Sequence, residues 1–336
     1  MTKDETSGGK RPTLKDVALA AGVSVATVSY ALNDAGSVGG DTRRHVLDVA
    51  ARLGYRPNLS AKAMRTGKTG AIGLILPDLT NPFFPALAQN VVHAARESAY
   101  SVFVTDTQGS HEAERAAAQA LIQRGVDGLI WFPINDEDTL ADLTGGLPVL
   151  VLDRDNPRHD LIQIDVDSGG RMAAERLIRA GHRRIGVISG PTDVRSSRQR
   201  SESSAEVLRR HDALAWHLHN AYSFDLEPAV AAAVTDGSVT ALCVGADLIA
   251  LGAINALRQR ALRVPEDVSI IGFDNIPYGA LAFPGLSTIN IPVEEMGIEA
   301  VNTLLRRIAK PAESRRRLVF DVTYVERGTV APPPTR

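Results

Sequence analysis

Cysteine is almost missing from this chain, aromatic residues are sparse at 5%, and no hydrophobic run is long. Cys243 stands alone among 336 residues, which excludes an intramolecular disulfide framework and a multi-cysteine zinc site and fits a reducing compartment. No stretch approaches the ~20 apolar residues that span a bilayer, and the polar N-terminus MTKDETSGGKRPT lacks the apolar core of a secretory signal. A cytoplasmic protein without a membrane partner is expected. No Gly-rich phosphate loop with its lysine occurs, the eight histidines show no paired ligand spacing, and Cys243 inside the apolar run TALCVGA reads as core. Neither a metal, a cofactor nor a catalytic constellation is expected.

What is present is an uneven distribution of charge. Residues 1–69 hold 11 Lys+Arg against 6 Asp+Glu, a net of +5, and the remainder holds 26 against 33, a net of −7. A basic head on an acidic body is the electrostatic footprint of a polyanion binder, although charge also drifts along any chain.

Residues 1–12 read as a disordered leader. From Thr13, apolar residues Leu14, Val17, Ala18 and Ala21 follow helical spacing, with Thr13 as N-cap and Asp16 completing a capping box. Gly22 ends that helix, and Ser24 caps a second with Val28, Ala31 and Leu32 on one face. A third, Thr42 to Gly54, presents Val46, Val49, Ala50 and Leu53, so three short helices close a small core. From Ala71 the pattern changes to apolar runs, most followed by a helix: AIGLILP, SVFVTDT, DGLIWFP and PVLVLDR, then LIQIDV, RIGVISG, TALCVGA and VSIIGFD. Runs without strict alternation, separated by helices such as Phe83–Ser98 and Leu248–Arg260, predict α/β layers around doubly wound parallel sheets. Eight runs predict two such subdomains meeting near residues 160–166, with a ligand cleft between them.

The stretches TLKDVALAAGVSVATVSYALN (13–33), VLDVAARLGYRPNLSAKAMRTG (46–67), IGLILPDLTNPFF, DGLIWFP, AGHRRIGVISG, VPEDVSIIGFDNIP and LSTINIPVEEMG together resemble the LacI/GalR family of bacterial transcriptional repressors. The resemblance implies an all-α helix-turn-helix head (13–57), a hinge (58–69), and a body of periplasmic-binding-protein type. Its N-terminal subdomain would comprise 70–162 and 291–316, its C-terminal subdomain 163–290 and 317–330, with 331–336 as a tail. The helix near Pro292–Ile308 would return to the first subdomain and the last strand, near Leu318–Arg327, to the second. APPPTR at the C-terminus has no apolar heptads, so a homodimer on a palindromic operator of double-stranded DNA is expected rather than a tetramer.

A helix-turn-helix lays its second helix in the major groove. Val25, Ala26 and Tyr30 are the base-facing candidates. The first two offer apolar contact suited to a thymine methyl, and Tyr30 offers a hydroxyl. No arginine in this helix is available to grip guanine, so phosphate contacts and DNA shape are expected to carry much of the affinity, through Leu14 N–H, Ser24, Thr27, Ser29, Asn33, Thr42, Tyr55 and Asn58. For each Ser or Thr, a local cap is the alternative. The hinge is too short and polar to hold a helix alone. By resemblance it orders on DNA, with Ala61 and Lys62 near the minor groove and Met64 in place of the family's wedging Leu; a plain linker is the alternative.

For the cleft, the segments after the strands supply Asp78, Asn81, Phe83, Phe84, Asp153–Arg154, Arg198, Arg200 and Asp274–Asn275, and among them Asn81, Phe83, Phe84, Asp153, Arg200 and Asp274 form a set suited to a small-molecule effector such as a sugar or sugar derivative. Three departures from the family pattern stand out. Ala246 precedes Asp247 where an Asn is common, Ile291 occupies a position that is polar in some members, and Ser203 stands where a Gly usually follows Arg200, predicting a different start for that helix. Two rivals remain: a solute-binding protein of the same body fold, and a cytosolic enzyme with Asp153 and Asp274 as an acid/base pair.

Overall fold

The computed structural model describes residues 12–32, 38–55 and 67–335, and the chain divides into a unit up to Thr69 and a unit from Gly70 onward. In the first, α1 (Leu14–Ala21), α2 (Val25–Leu32) and α3 (Gly40–Arg52) close around Val17, Ala18, Ala21, Val28, Ala31, Val46, Val49 and Ala50. Both halves of the capping box form, the Asp16 carboxylate accepting the Thr13 N–H at 2.7 Å while Thr13 Oγ1 accepts the Asp16 N–H at 3.4 Å. Gly22 ends α1 with φ +65°, a left-handed conformation that glycine adopts without steric cost. The two axes then cross at 104°, within the range of a helix-turn-helix. Leu53, expected in the core, is 38% exposed, because α3 stops at Arg52 and leaves it at the C-cap.

The second unit holds two six-stranded sheets. One has the order β11 (Arg317–Phe320), β5 (Asp160–Ile164), β4 (Val149–Leu152), β3 (Leu129–Trp131), β1 (Ala71–Leu76), β2 (Ser101–Asp106). The other runs β12 (Thr323–Val325), β10 (Ser287–Asn290), β9 (Ser269–Asp274), β8 (Ala241–Val244), β6 (Ile185–Ser189), β7 (Leu214–His219). All neighbours pair in parallel except β10 and β12. Around the first sheet lie α4 (Phe83–Glu97), α5 (His111–Gln123) and α11 (Val293–Ala309), and around the second α6 (Val166–Arg179), α7 (Arg195–Arg210), α8 (Pro228–Thr235), α9 (Asp247–Gln259) and the short α10 (Pro277–Leu281). Among the described residues no single helix is long and apolar enough to cross a membrane.

Two expectations about sheet membership are corrected. LIQIDV, grouped above with the second set of strands, forms β5 and pairs with β4 in the first sheet. The single returning strand near Leu318–Arg327 is two strands: β11 pairs with β5 in the first sheet, and only β12 reaches the second, against β10. β5 is buried almost throughout while β11 and β12 are short and partly exposed, and in either case the hydrophobic pattern marks a strand without naming its partner. The chain therefore passes between the sheets three times: after β5, after β10 and between β11 and β12.

Helices α6 and α7 pack at close range through Gly170, where a Cβ atom would lie 2.0 Å from the Arg200 carbonyl oxygen. The Ser204 hydroxyl bridges the same helices by donating to the Gly170 carbonyl at 2.9 Å. Gly170→Ala is expected to force them apart, lowering the stability of the body by about 1–3 kcal/mol, measured by denaturant unfolding against wild type.

Candidate functional site

On α2, Val25, Ala26 and Tyr30 lie exposed on one side while Val28 and Ala31 on the other are buried. Three exposed positions on one helical face are what a groove-reading surface requires. Ser24 serves the local role: its Oγ accepts the Thr27 N–H at 3.1 Å and lies 2.8 Å from the Thr27 hydroxyl. Helix capping leaves these hydroxyls at the helix N-terminus, where an anion is favoured. Leu14 opens α1, Ser29 and Thr42 are half-buried, and Tyr55 packs against the head core with its N–H on the Ala50 carbonyl at 2.9 Å. Asn33, Asn58, Ala61, Lys62 and Met64 lie outside the described residues.

All six residues expected in the cleft converge on one cavity between the two sheets. Asn81, Phe83 and Phe84 arrive from the loop after β1 and the start of α4, Asp153 from the end of β4, Arg200 from α7, and Asp274 from the end of β9. Arg154 and Ile291 line it as well, and the structure adds Phe132, Ile164 and Tyr222. Carboxyl ends of parallel strands face each other here, as in other doubly wound sheets. Asp153 and Asp274 take positive φ of 66° and 106°, conformations that side-chain-bearing residues adopt at a cost and that re-aim the carboxylates at each strand end.

Arg154, noted with Asp153 at the end of β4, is drawn into the cavity wall. Its guanidinium pairs with Asp153, donates to Ser196 Oγ at 3.1 Å and stacks 5.1 Å from the centre of the Phe132 ring. Ser196 completes the triangle by donating to Asp153 at 2.6 Å. Burial pulls Arg154 down to about 10, which leaves it cationic at neutral pH. Arg200 donates to the Gly245 carbonyl at 2.6 Å, lies 3.3 Å from Asp274 and stacks 4.2 Å from the Phe273 ring centre. Each arginine keeps a buried Nε–H with no protein acceptor. Phe83, Phe84 and Phe132 meet edge to face at 5.0–6.1 Å, forming an apolar wall beside these polar groups. The overlooked signal for Phe132 was its place directly after β3; Tyr222 had none, since it sits in an irregular segment.

The departures noted in the sequence have separate outcomes. Ile291 lines the cavity and adds apolar surface. Asp247 turns away from it, taking the Ile276 N–H at 2.9 Å and sitting 2.6 Å from Thr288 Oγ1. Ser203 does not displace the helix start: α7 begins earlier, at Arg195, and the Ser203 hydroxyl donates to Asp167 at 2.6 Å. Asp78 accepts the Thr80 N–H at 2.8 Å and its hydroxyl at 2.6 Å, which closes a turn. Burial pushes the Cys243 thiol up to about 12, so it is a core residue and not a nucleophile.

Residues 13–58 match the description "Bacterial regulatory proteins, lacI family" and residues 174–330 match "Periplasmic binding protein-like domain". The ribose operon repressor of Bacillus subtilis (strain 168) is 34% identical over 325 residues, covering 94% of this chain and 98% of that protein. A crystal structure of the lac repressor dimer bound to operator and the anti-inducer ONPF has a TM-score of 0.83 at 29% identity, over 96% of this chain and 100% of that one. A LacI family transcriptional regulator from Enterococcus faecium with bound ribose has a TM-score of 0.71 at 27% identity, over 78% and 99%. A helix-turn-helix head followed by a two-sheet effector-binding body defines a DNA-binding transcriptional regulator. The chain belongs to the LacI family of bacterial regulatory proteins, whose members are transcriptional repressors and not enzymes. The acid/base role weighed for Asp153 and Asp274 is thereby removed.

Burial pushes the Asp274 carboxyl from 3.8 up to about 6, while Arg200 pulls the other way. The folded chain thus holds this proton more tightly than the unfolded chain. Its stabilising contribution is complete below about pH 4 and is lost as pH rises through about 6. Asp274→Asn is expected to stabilise the body near pH 7.5, by up to about 3 kcal/mol at ~1.4 kcal/mol per tenfold in proton affinity. Near pH 4 it should change little, and thermal unfolding at the two pH values checks the difference.

Proposed function

We propose that this repressor binds a palindromic operator as a homodimer and is controlled by a small neutral polyol, a monosaccharide or close derivative, held in the cleft. The observation that carries the effector reading is the convergence of Asp153, Arg154, Arg200 and Asp274 beside three phenylalanine rings around one cavity. Two guanidinium groups and two carboxylates give a site with no formal net charge, and vicinal hydroxyls can bridge such pairs while a pyranose or furanose face rests on the phenyl wall. The cavity is about 40 Å³, room for a few waters, so a sugar enters only if the sheets part. Effector binding is thereby tied to a change in the body. By likeness to the relatives named above, ribose is the first ligand to test.

Val25, Ala26 and Tyr30 read bases in this account. Leu14, Ser24, Thr27, Ser29, Asn33, Thr42, Tyr55 and Asn58 hold phosphates, and Ala61, Lys62 and Met64 enter the central minor groove. Selection of genomic fragments by the purified protein at near-physiological salt is expected to return a palindrome of one and a half to two helical turns; retention without sequence preference would reduce the head to a polycation. Tyr30→Ala is expected to weaken specific binding about tenfold while leaving non-specific binding within about twofold. Equal losses would remove Tyr30 from base readout. Met64→Ala should reduce operator bending, seen in a gel-phasing assay. Calorimetry with D-ribose and other monosaccharides tests the cleft, where Arg200→Ala is expected to cost about 10–100-fold in affinity through lost charge-assisted bonds. Absence of heat with every sugar tried would discard the polyol reading.

A further inference from the structure

Helix α7 carries Ser196 and Arg200 into the cleft, yet nothing in its own segment caps it. Val194 occupies the cap position without a side-chain bond, and no acidic residue lies in the first turn. The cap comes from the opposite subdomain. Asp136, in the loop after β3, accepts the Arg195 N–H at 2.8 Å through Oδ2, and the same oxygen lies 3.7 Å from the Arg198 guanidinium. Arg195 donates in turn to Asp155, after β4, at 3.0 Å. A helix start leaves four N–H groups unsatisfied and attracts negative charge, so a carboxylate here holds the two subdomains together only while the cleft is shut.

The loop that presents Asp136 is braced from beneath. Glu114 of α5, 1% exposed, accepts the Trp131 indole N–H at 2.8 Å, the Ile134 N–H at 3.2 Å and the Thr139 hydroxyl. Three donors on one buried carboxylate fix the loop on both sides of Asp136, so the cap is delivered by a rigid arm. Asp136 itself does not line the cavity.

We propose that Asp136 is a closure clasp: it caps α7 across the cleft and sets the balance between shut and open body without touching the effector. Loss of a typical N-cap corresponds to about a fivefold shift in that balance. Its consequence for effector response rests on the function proposed above, but the test needs no effector. The full-length protein carries a dye pair at Glu112→Cys and Asp225→Cys, two exposed positions; Cys243 is buried and spares the labelling. Amide exchange and dye separation are read in wild type, Asp136→Ala and Asp136→Asn. Asp136→Ala is expected to speed exchange at Arg195–Arg198 about fivefold and to lengthen the dye separation. Asp136→Asn, whose side-chain oxygen can still cap, should remain within about twofold of wild type in exchange, with an unchanged separation. Unchanged exchange in Asp136→Ala would remove the cap. Faster exchange at an unchanged separation would make it purely local, and equal opening in both variants would transfer the effect to the charge facing Arg198; each of these overturns the clasp.

Discussion

Charge is hard to bury, and the seam between the two sheets buries four charged side chains together: Asp153, Arg154, Arg200 and Asp274, each 5–9% exposed. Isolated, any one of them would be expelled or neutralised. They stay because each carboxylate faces a guanidinium and each guanidinium also rests on a phenyl ring, Phe132 or Phe273. The compensation is incomplete. Two Nε–H groups keep no protein acceptor, and Asp274 is pushed toward neutrality by burial. A site whose polar groups are nearly but not fully satisfied is suited to a partner that brings its own donors and acceptors. It also explains why these residues act as a set, since removal of either guanidinium strands the carboxylate it faces in a dry environment.

The rest of the body serves to keep that set in register. The chain passes three times between the sheets, a construction that permits the subdomains to move while the core continues across them. One apolar cluster indeed includes residues of both, from Ile72 and Leu152 to Phe273 and Ile289. Helix α7 is the element on which the two demands meet. Its first turn is held from the first sheet by Asp136, its second turn places Arg200 against Asp274, and Gly170 lets α6 approach its backbone. A change at the cleft therefore reaches α7 at several points along its length, and packed elements of this kind respond by shifting between arrangements instead of deforming.

Much of the head was legible without coordinates, because its signals are local. The Thr13–Asp16 capping box, the left-handed Gly22 and the helical spacing of Val17, Val28 and Val46 each involve neighbours a few positions apart. Six cleft residues were also found, from the rule that ligands sit beyond the carboxyl ends of parallel strands. The placement of β5 and β11 was not, since neither a buried strand such as β5 nor a short, partly exposed one such as β11 carries a mark of its partner. Phe132 and Tyr222 were missed as members of the site: Phe132 continues the apolar run of β3 and Tyr222 lies in an irregular segment, so only the folded seam turns them into a wall.

Secondary structure, the helix-turn-helix and the polar character of the cleft thus follow from periodicity and from residues at strand ends, which are properties of contiguous sequence. The pairing of Arg154 with Ser196, of Arg200 with Asp274 and of Asp136 with the start of α7 joins positions separated by 42, 74 and 59 residues. The contact of Arg200 with Asp274 exists only once the second subdomain is built, and those of Arg154 and Asp136 only once the two sheets face each other. Folding decided them because only in the seam is water scarce enough for charge and geometry to select one partner over the solvent.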